Sequence, residues 1–312
     1  MIEIEHLTKR YGATTVVDDV SFRVDEGTIA VVVGTSGAGK STLLRMINRL
    51  VEPSSGRVLI DGEDTMTIPE DELRHRIGYV IQGYGLFPHR TVTENIATVP
   101  RLLGWDKRRI AARVEELLDL FQLDPAEFAR KFPHELSGGQ QQRVGVARAL
   151  AAKPALLLMD EPFGALDPVI RSKAQDDLIA IQRRLGTTIV LVTHDMNEAF
   201  QLGDKIAVMD RAGLLQYATP AELLTHPAED FVEQLVGTAE RPFRLLSLIR
   251  VQEALEQGAV EGEPILVTDS LRDALSRLIW VGRNELPVAD VSGAIVGRVS
   301  VRGIMAHGRP VP

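Results

Sequence analysis

The sequence predicts an α/β fold built on a largely parallel sheet, followed by a smaller α+β unit. Apolar runs such as Ile29–Val33, Ala155–Met159 and Thr187–Val192 recur between helical stretches. Strands apolar on both faces belong to parallel sheets that helices cover on each side. A Gly-rich loop follows the first run, and a helical pattern starts at Lys40. The chain of 312 residues accommodates one large domain and a smaller one, and its pattern breaks around Thr238–Pro242.

Ile2–Glu5 and Thr14–Val24 alternate as antiparallel strands do, with Tyr11-Gly12 as the turn between them. Thr28–Val33 and Ile77–Ile81 read as buried strands. From about Thr93 to Ala152 the pattern is a helical insert, interrupted at Pro100, Pro125 and Pro133. Pro168–Leu185 reads as a helix between the two later buried strands, and Lys205–Met209 and Leu214–Gln216 as a late pair of short strands. Beyond the break, Leu245–Gln257 reads as a linking helix and Pro264–Val267 as a strand. Ser270–Val281 reads as an amphipathic helix with Leu271, Ala274, Leu275 and Leu278 on one face. Leu286-Pro287-Val288 and Ile295-Val296-Gly297 make a β-turn-β pattern around Asp290 and Gly293, before a short helix near Val301–Met305. The expected division is 1–237, 238–262 and 263–312.

Composition narrows the function classes. The net charge of −8 argues against nucleic acid as a partner, because phosphate backbones call for a basic surface. From Thr238 onward nine Arg balance nine Asp plus Glu, so the whole acidic excess lies in the first part of the chain. The absence of cysteine excludes disulfides and thiolate metal sites, and fits a reducing compartment. No signal peptide is expected, since charge begins at Glu3 and Glu5. The longest apolar runs are too short to span a bilayer.

The chemistry begins at Gly34-Thr35-Ser36-Gly37-Ala38-Gly39-Lys40-Ser41-Thr42, which satisfies G-x-x-x-x-G-K-[ST] between a strand and a helix. Glycines let the backbone wrap so that several N–H groups face phosphate oxygens. The helix N-terminus adds partial positive charge and Lys40 a full one, while the Ser41 hydroxyl can ligate Mg²⁺. Asp160-Glu161 ends the apolar strand Ala155–Met159. Two carboxylates at a strand end are often mere caps. Beside a phosphate loop, Asp160 is expected to hold Mg²⁺ and Glu161 to polarise the attacking water.

Leu136-Ser137-Gly138-Gly139-Gln140, followed by Gln141-Gln142-Arg143, completes the set, and with it residues 1 to 237 resemble the ATP-binding-cassette (ABC) ATPases. That family's fold is a P-loop NTPase with a parallel core sheet, an N-terminal antiparallel β subdomain and a helical insert. Ser137, Gly138 and Gly139 form a small nest of backbone donors suited to a γ-phosphate. The family uses that nest from the opposite subunit, so ATP joins two domains. By the same resemblance Tyr11 stacks on adenine, and Gln82 touches Mg²⁺ and water and links the site to a membrane partner. Asp167, in Ala165-Leu166-Asp167, crosses the dimer seam, and His194 contacts the γ-phosphate. No catalytic position is degenerate, so two copies would carry two competent sites.

Ile81–His89 and Glu94–Pro100 resemble the ATPases of bacterial osmoprotectant importers, which handle glycine betaine, choline, carnitine and proline betaine. Methionine-type amino-acid importers are the alternative, and a soluble non-transport ATPase of the superfamily is a more distant one. The importer reading implies a transmembrane permease, an associated substrate-binding protein and a peripheral place on the cytoplasmic face of the bacterial inner membrane. Tyr84, Leu86, Phe87, Ile96 and Val99 are expected to form an apolar edge for the permease. The tail is similar to one cystathionine-β-synthase-type (CBS) motif. Such motifs act in pairs, so the tail is expected to pair with its copy in a second chain.

Overall fold

The computed structural model describes residues Ile2 to Arg309, which divide into two compact units at the junction of Tyr217 and Ala218. In the first unit the strand Ile2–Tyr11 pairs antiparallel with both Thr14–Val24 and Ser55–Ile60, and Glu63–Asp64 closes a four-stranded sheet. The second sheet orders six strands as Gly213–Ala218, Lys205–Asp210, Ile29–Gly34, Thr188–Val192, Leu156–Asp160 and Ile77–Val80. The strands from Lys205–Asp210 across to Ile77–Val80 pair in parallel. Ile29–Gly34, Leu156–Asp160 and Thr188–Val192 are buried along their whole length, as their unbroken apolar sequences require.

One apolar core joins both sheets through the helix Lys40–Ile47. Ile4, Val20 and Val58 come from the antiparallel sheet, Leu43, Leu44 and Ile47 from the helix, and Leu156, Leu158 and Val190 from the parallel one. This fixes the phosphate loop at the end of its strand before any ligand arrives.

The insert contains the helices Val92–Ile96, Thr98–Leu102, Lys107–Leu120, Pro125–Phe128 and Gly138–Leu150, with a 3₁₀ turn at Pro133–Glu135. Thr91, Asp106, Asp124 and Ser137 each cap the helix that follows, and a cap of this kind contributes about 1 kcal/mol. Pro100 does not interrupt the insert as expected. It lies early in Thr98–Leu102, where a missing N–H costs little, and the break falls at Gly104 instead. The helix Pro168–Leu185 matches its expected bounds, since Asp167 caps one end and Gly186 in a left-handed conformation ends the other.

The second unit opens with the helices Pro220–Thr225, Asp230–Val236 and Arg241–Leu248. The expected linking helix at 245–257 is not one helix. Ile249 is extended, and Val251–Ala254 is a 3₁₀ turn. Tertiary hydrogen bonds override the local pattern there, because Leu271 N–H donates to the Ile249 carbonyl and Val251 N–H to the Asp269 carbonyl, both at 2.9 Å. Leu246, Val251 and Ala254 belong to the same core as Leu271, Leu278, Leu286 and Val299. The remainder runs strand Ile265–Leu266, helix Leu271–Val281, strands Glu285–Ala289 and Ile295–Ser300, then helix Val301–His307. The first strand pairs parallel to the second and the second antiparallel to the third.

Candidate functional site

In the parallel sheet, Ile29–Gly34, Thr188–Val192, Leu156–Asp160 and Ile77–Val80 are consecutive neighbours. Their carboxyl ends carry, in that order, the phosphate loop, His194, Asp160-Glu161 and Gln82. Segments far apart in sequence therefore meet at one edge of the sheet, where parallel α/β folds bind ligands. There they line a cleft of about 490 Å³ bounded by Val16, Ser36, Gly37, Gly39, Lys40, Ser41, Thr42, Gln82, Glu161 and His194.

Gly34 has φ 148°, and a Cβ there would stand 1.9 Å from the Met209 carbonyl oxygen, so the strand can turn into the loop only with glycine. Thr35 anchors the loop by donating from Oγ1 to Asp210 at 2.7 Å, and Ala38 is buried beneath it. Lys40 donates from Nζ to the carbonyls of Gly34 and Thr35 at 2.9 and 2.8 Å. Burial lowers its pKa, and the carboxylates of Glu161 and Asp160 act in the opposite direction. The ammonium is thus partly desolvated, and its hydrogen bonds go to neutral carbonyls, which phosphate oxygens can replace.

Ser41 donates from its hydroxyl to the Asp160 carboxylate at 2.8 Å, and Asp160 is buried. Gln82 donates from Nε2 to Glu161 Oε2 at 3.2 Å, and the Nδ1 of His194 lies 3.4 Å from that same oxygen. Glu161 holds φ 46°, an uncommon conformation for a residue with a Cβ, and its N–H is tied to the Val192 carbonyl at 2.9 Å. The hydroxyl, carboxylate and side-chain amide of Ser41, Asp160 and Gln82 are hard oxygen donors, the set that suits Mg²⁺.

Leu136–Gln140 does not line this cleft. Ser137 is the N-cap of Gly138–Leu150 in a capping box with Gln140, and Leu136 is buried. Cβ atoms on Gly138 and Gly139 would stand 2.5 Å from the Tyr84 hydroxyl and 2.6 Å from Ile170 Cγ2. The glycines therefore let the Tyr84 loop and the first turn of Pro168–Leu185 pack against the start of this helix. Asp167 accepts from the N–H groups of Val169 and Ile170 at 3.2 and 3.1 Å.

Tyr11 lies at the end of its strand, half exposed, with the Lys9 ammonium 4.9 Å from its ring. It is not among the residues lining the cleft, whereas Val16, which the sequence did not single out, is. The expected apolar edge is also revised. Ile96 is fully buried, while Phe87 is exposed between the guanidinium groups of Arg90 and Arg148, and Leu102 is 70% exposed.

The sequence matches the family description ABC transporter over residues 17–164. It is 48% identical to the glycine betaine uptake system ATP-binding protein YehX of Escherichia coli (strain K12), over 98% of this chain and 100% of that one. The chain belongs to the ABC transporter ATP-binding proteins. The glycine betaine/carnitine/choline transport ATP-binding protein OpuCA of Bacillus subtilis (strain 168) is 43% identical, over 97% of this chain and 79% of that protein. Among solved structures, a dimeric ATP-binding cassette in a post-hydrolysis state bound to ADP and Pi is 34% identical. It superposes with a TM-score of 0.62 over 70% of this chain and 98% of that one. The cassette thus has the P-loop ABC ATPase fold, and as a member of its family it binds and hydrolyses ATP. ATPases of this family act as dimers, with a membrane permease in importers. Among the described residues no helix is long and apolar enough to cross a membrane.

Proposed function

We propose that this chain is the ATP-hydrolysing subunit of a bacterial importer for quaternary-amine osmoprotectants of the glycine betaine, choline and carnitine type. The observation that carries it is the end-to-end 48% identity with a glycine betaine uptake ATPase, tail included. ATP would lie on the phosphate loop against Lys40, with Tyr11 toward the base. Ser41, Asp160 and Gln82 would hold Mg²⁺, which supplies charge neutralisation at the phosphates. Glu161 takes a proton from the attacking water, while Gln82 and His194, sharing its Oε2, hold it in line with the γ-phosphate. Leu136–Gln140 of a second copy closes the site, and Asp167 crosses the seam. Closure on two ATP would drive a separate permease on the cytoplasmic face of the inner membrane, fed by a substrate-binding protein.

The tail in this proposal is a single CBS-like motif that pairs with its copy. Its β-α-β-β-α order and the exposure of Ile279 and Trp280, at 71% and 89%, support that reading. Deleting residues after 240 is expected to weaken dimerisation and the response to salt; unchanged behaviour in both refutes the role. The transport reading is tested by reconstituting the chain with its permease in vesicles and measuring ATP-dependent uptake of labelled glycine betaine, choline and methionine. Uptake of methionine alone would overturn the solute class.

A further inference from the structure

Two of the loops described above are joined inside one chain by a single side chain. Arg171, in the first turn of Pro168–Leu185, donates from Nη2 to the Leu166 carbonyl at 3.0 Å. Its Nη1 stands 3.7 Å from the Asp195 carboxylate, next to His194. The turn bearing His194 is braced from beneath. Thr193 donates from Oγ1 to Glu198 Oε2 at 2.8 Å, accepts from the Asp195 N–H at 3.1 Å, and donates its own N–H to the Val32 carbonyl at 3.0 Å. His194 itself is about two-thirds exposed, and its ring contacts Glu161 at 3.4 Å. Its position is therefore set by the backbone of residues 193–195, and Arg171 is the tie from that backbone to the Leu166 loop.

Two further atoms around this tie are left unpartnered. Arg171 Nε and Glu198 Oε1 are both buried without a hydrogen-bond partner among the described residues. An unmade buried donor and an unmade buried acceptor are both costly. Both belong to side chains that act on Asp195 or feel its charge. The Arg171 charge acts on the Glu198 carboxyl, so the two side chains share one electrostatic environment with Asp195. Ile170, beside Arg171, packs where a Cβ on Gly139 would go, so the same turn also abuts Leu136–Gln140.

We propose that Arg171 is a positioning residue that carries the seating of the Ala165–Asp167 loop to His194, through Asp195 and the Thr193–Glu198 pair. This rests on the reading above, in which that loop meets a second copy and His194 meets the γ-phosphate. Arg171 touches no substrate. It makes the histidine's placement depend on whether the seam is engaged, so that an unpaired chain hydrolyses slowly.

The test is steady-state hydrolysis by the full chain with its permease, together with ATP affinity and thermal midpoint. The variants are Arg171→Met, Arg171→Lys, His194→Ala and the double variant Arg171→Met/His194→Ala. We expect Arg171→Met to lower kcat about tenfold while the KM for ATP stays within about twofold, because placement and not binding is lost. Arg171→Lys should recover part of kcat through Asp195 alone. The double variant should be no slower than His194→Ala by more than about twofold, since Arg171 acts through the histidine. The proposal is overturned if Arg171→Met changes kcat less than twofold, or if its loss multiplies with that of His194→Ala. Should Arg171→Met fail to fold, Arg171→Lys and its double variant with His194→Ala give the same two readings. Wild-type kcat in His194→Ala would instead sink the reading of the site itself, and this proposal with it.

Discussion

Ser41 and Asp160 stand 119 positions apart in the chain, yet the hydroxyl of one donates to the carboxylate of the other across 2.8 Å. The strand Ile29–Gly34 brings the first and Leu156–Asp160 the second, and Thr188–Val192 lies between them in the sheet. The contact therefore reports the register of three strands. It also puts one neutral and one anionic oxygen donor on the same point, as a hard divalent cation requires. Asp160→Asn keeps the shape and removes the charge. We expect the variant to need on the order of 10- to 100-fold more Mg²⁺ for the same hydrolysis rate. The check is a Mg²⁺ titration of activity, and an unchanged midpoint contradicts the assignment.

Lys40 is the case where stability and binding should separate. Its ammonium is partly buried on two carbonyls, and burial lowers its pKa. Removing it deletes hydrogen bonds but also relieves a desolvated charge, so the unliganded fold should change little. Lys40→Ala is expected to weaken ATP binding on the order of 100-fold, from the loss of charge-assisted bonds to phosphate. Thermal shift with and without ATP measures both effects at once. A nucleotide-induced shift equal to that of the native chain contradicts the phosphate-site assignment.

Glu161 combines an uncommon backbone conformation with a side-chain oxygen shared by Gln82 and His194. Glu161→Gln preserves the volume and can still receive the histidine, but it cannot take a proton from water. Hydrolysis is expected to fall by about 10²- to 10⁴-fold while ATP affinity is retained, and ATP should then trap a dimer. Size exclusion with ATP, beside phosphate release, is the measurement. Near-native turnover would assign the base elsewhere.

Much of this site was legible because its signals are local. The run Ile29–Val33 must be a buried strand, glycine at 34 follows from the turn after it, and Asp167, Pro168 and Gly186 mark both ends of one helix. What was not legible depends on partners distant in sequence. Ile96 and Val99 look alike as apolar residues on a helical insert, yet Ile96 is buried and Val99 is not. The segment 245–257 has helical periodicity, but its backbone groups are drawn to residues 267–271 and 298. Val16 enters the cleft through its place in the antiparallel sheet, beside Gly39, with no motif to mark it. Arg171 reads in sequence as one more charge on a helix, and only the packed loops reveal its two partners.

Glu198 gives the fold a pH dependence with a definite sign. Burial pushes its carboxyl up from an ordinary 4.5 to about 7. The Thr193 hydroxyl, Arg171 and His194 pull the other way, while Asp195 adds to the rise. Between those two pH values the folded chain holds a proton that the unfolded chain has released. Stability on this account is greatest below pH 4.5, declines as pH rises to about 7, and is flat above, with a total of at most about 3 kcal/mol. Other carboxylates add slopes of their own, so the informative quantity is a difference between variants. Glu198→Gln keeps an oxygen for Thr193 and cannot ionise, so relative to the native chain it should gain stability progressively from pH 4.5 to 7. Denaturant unfolding of both proteins at pH 5, 6, 7 and 8 checks this. A constant difference across that range would mean that Glu198 ionises near its ordinary value, and that water reaches its carboxyl more freely than its burial indicates.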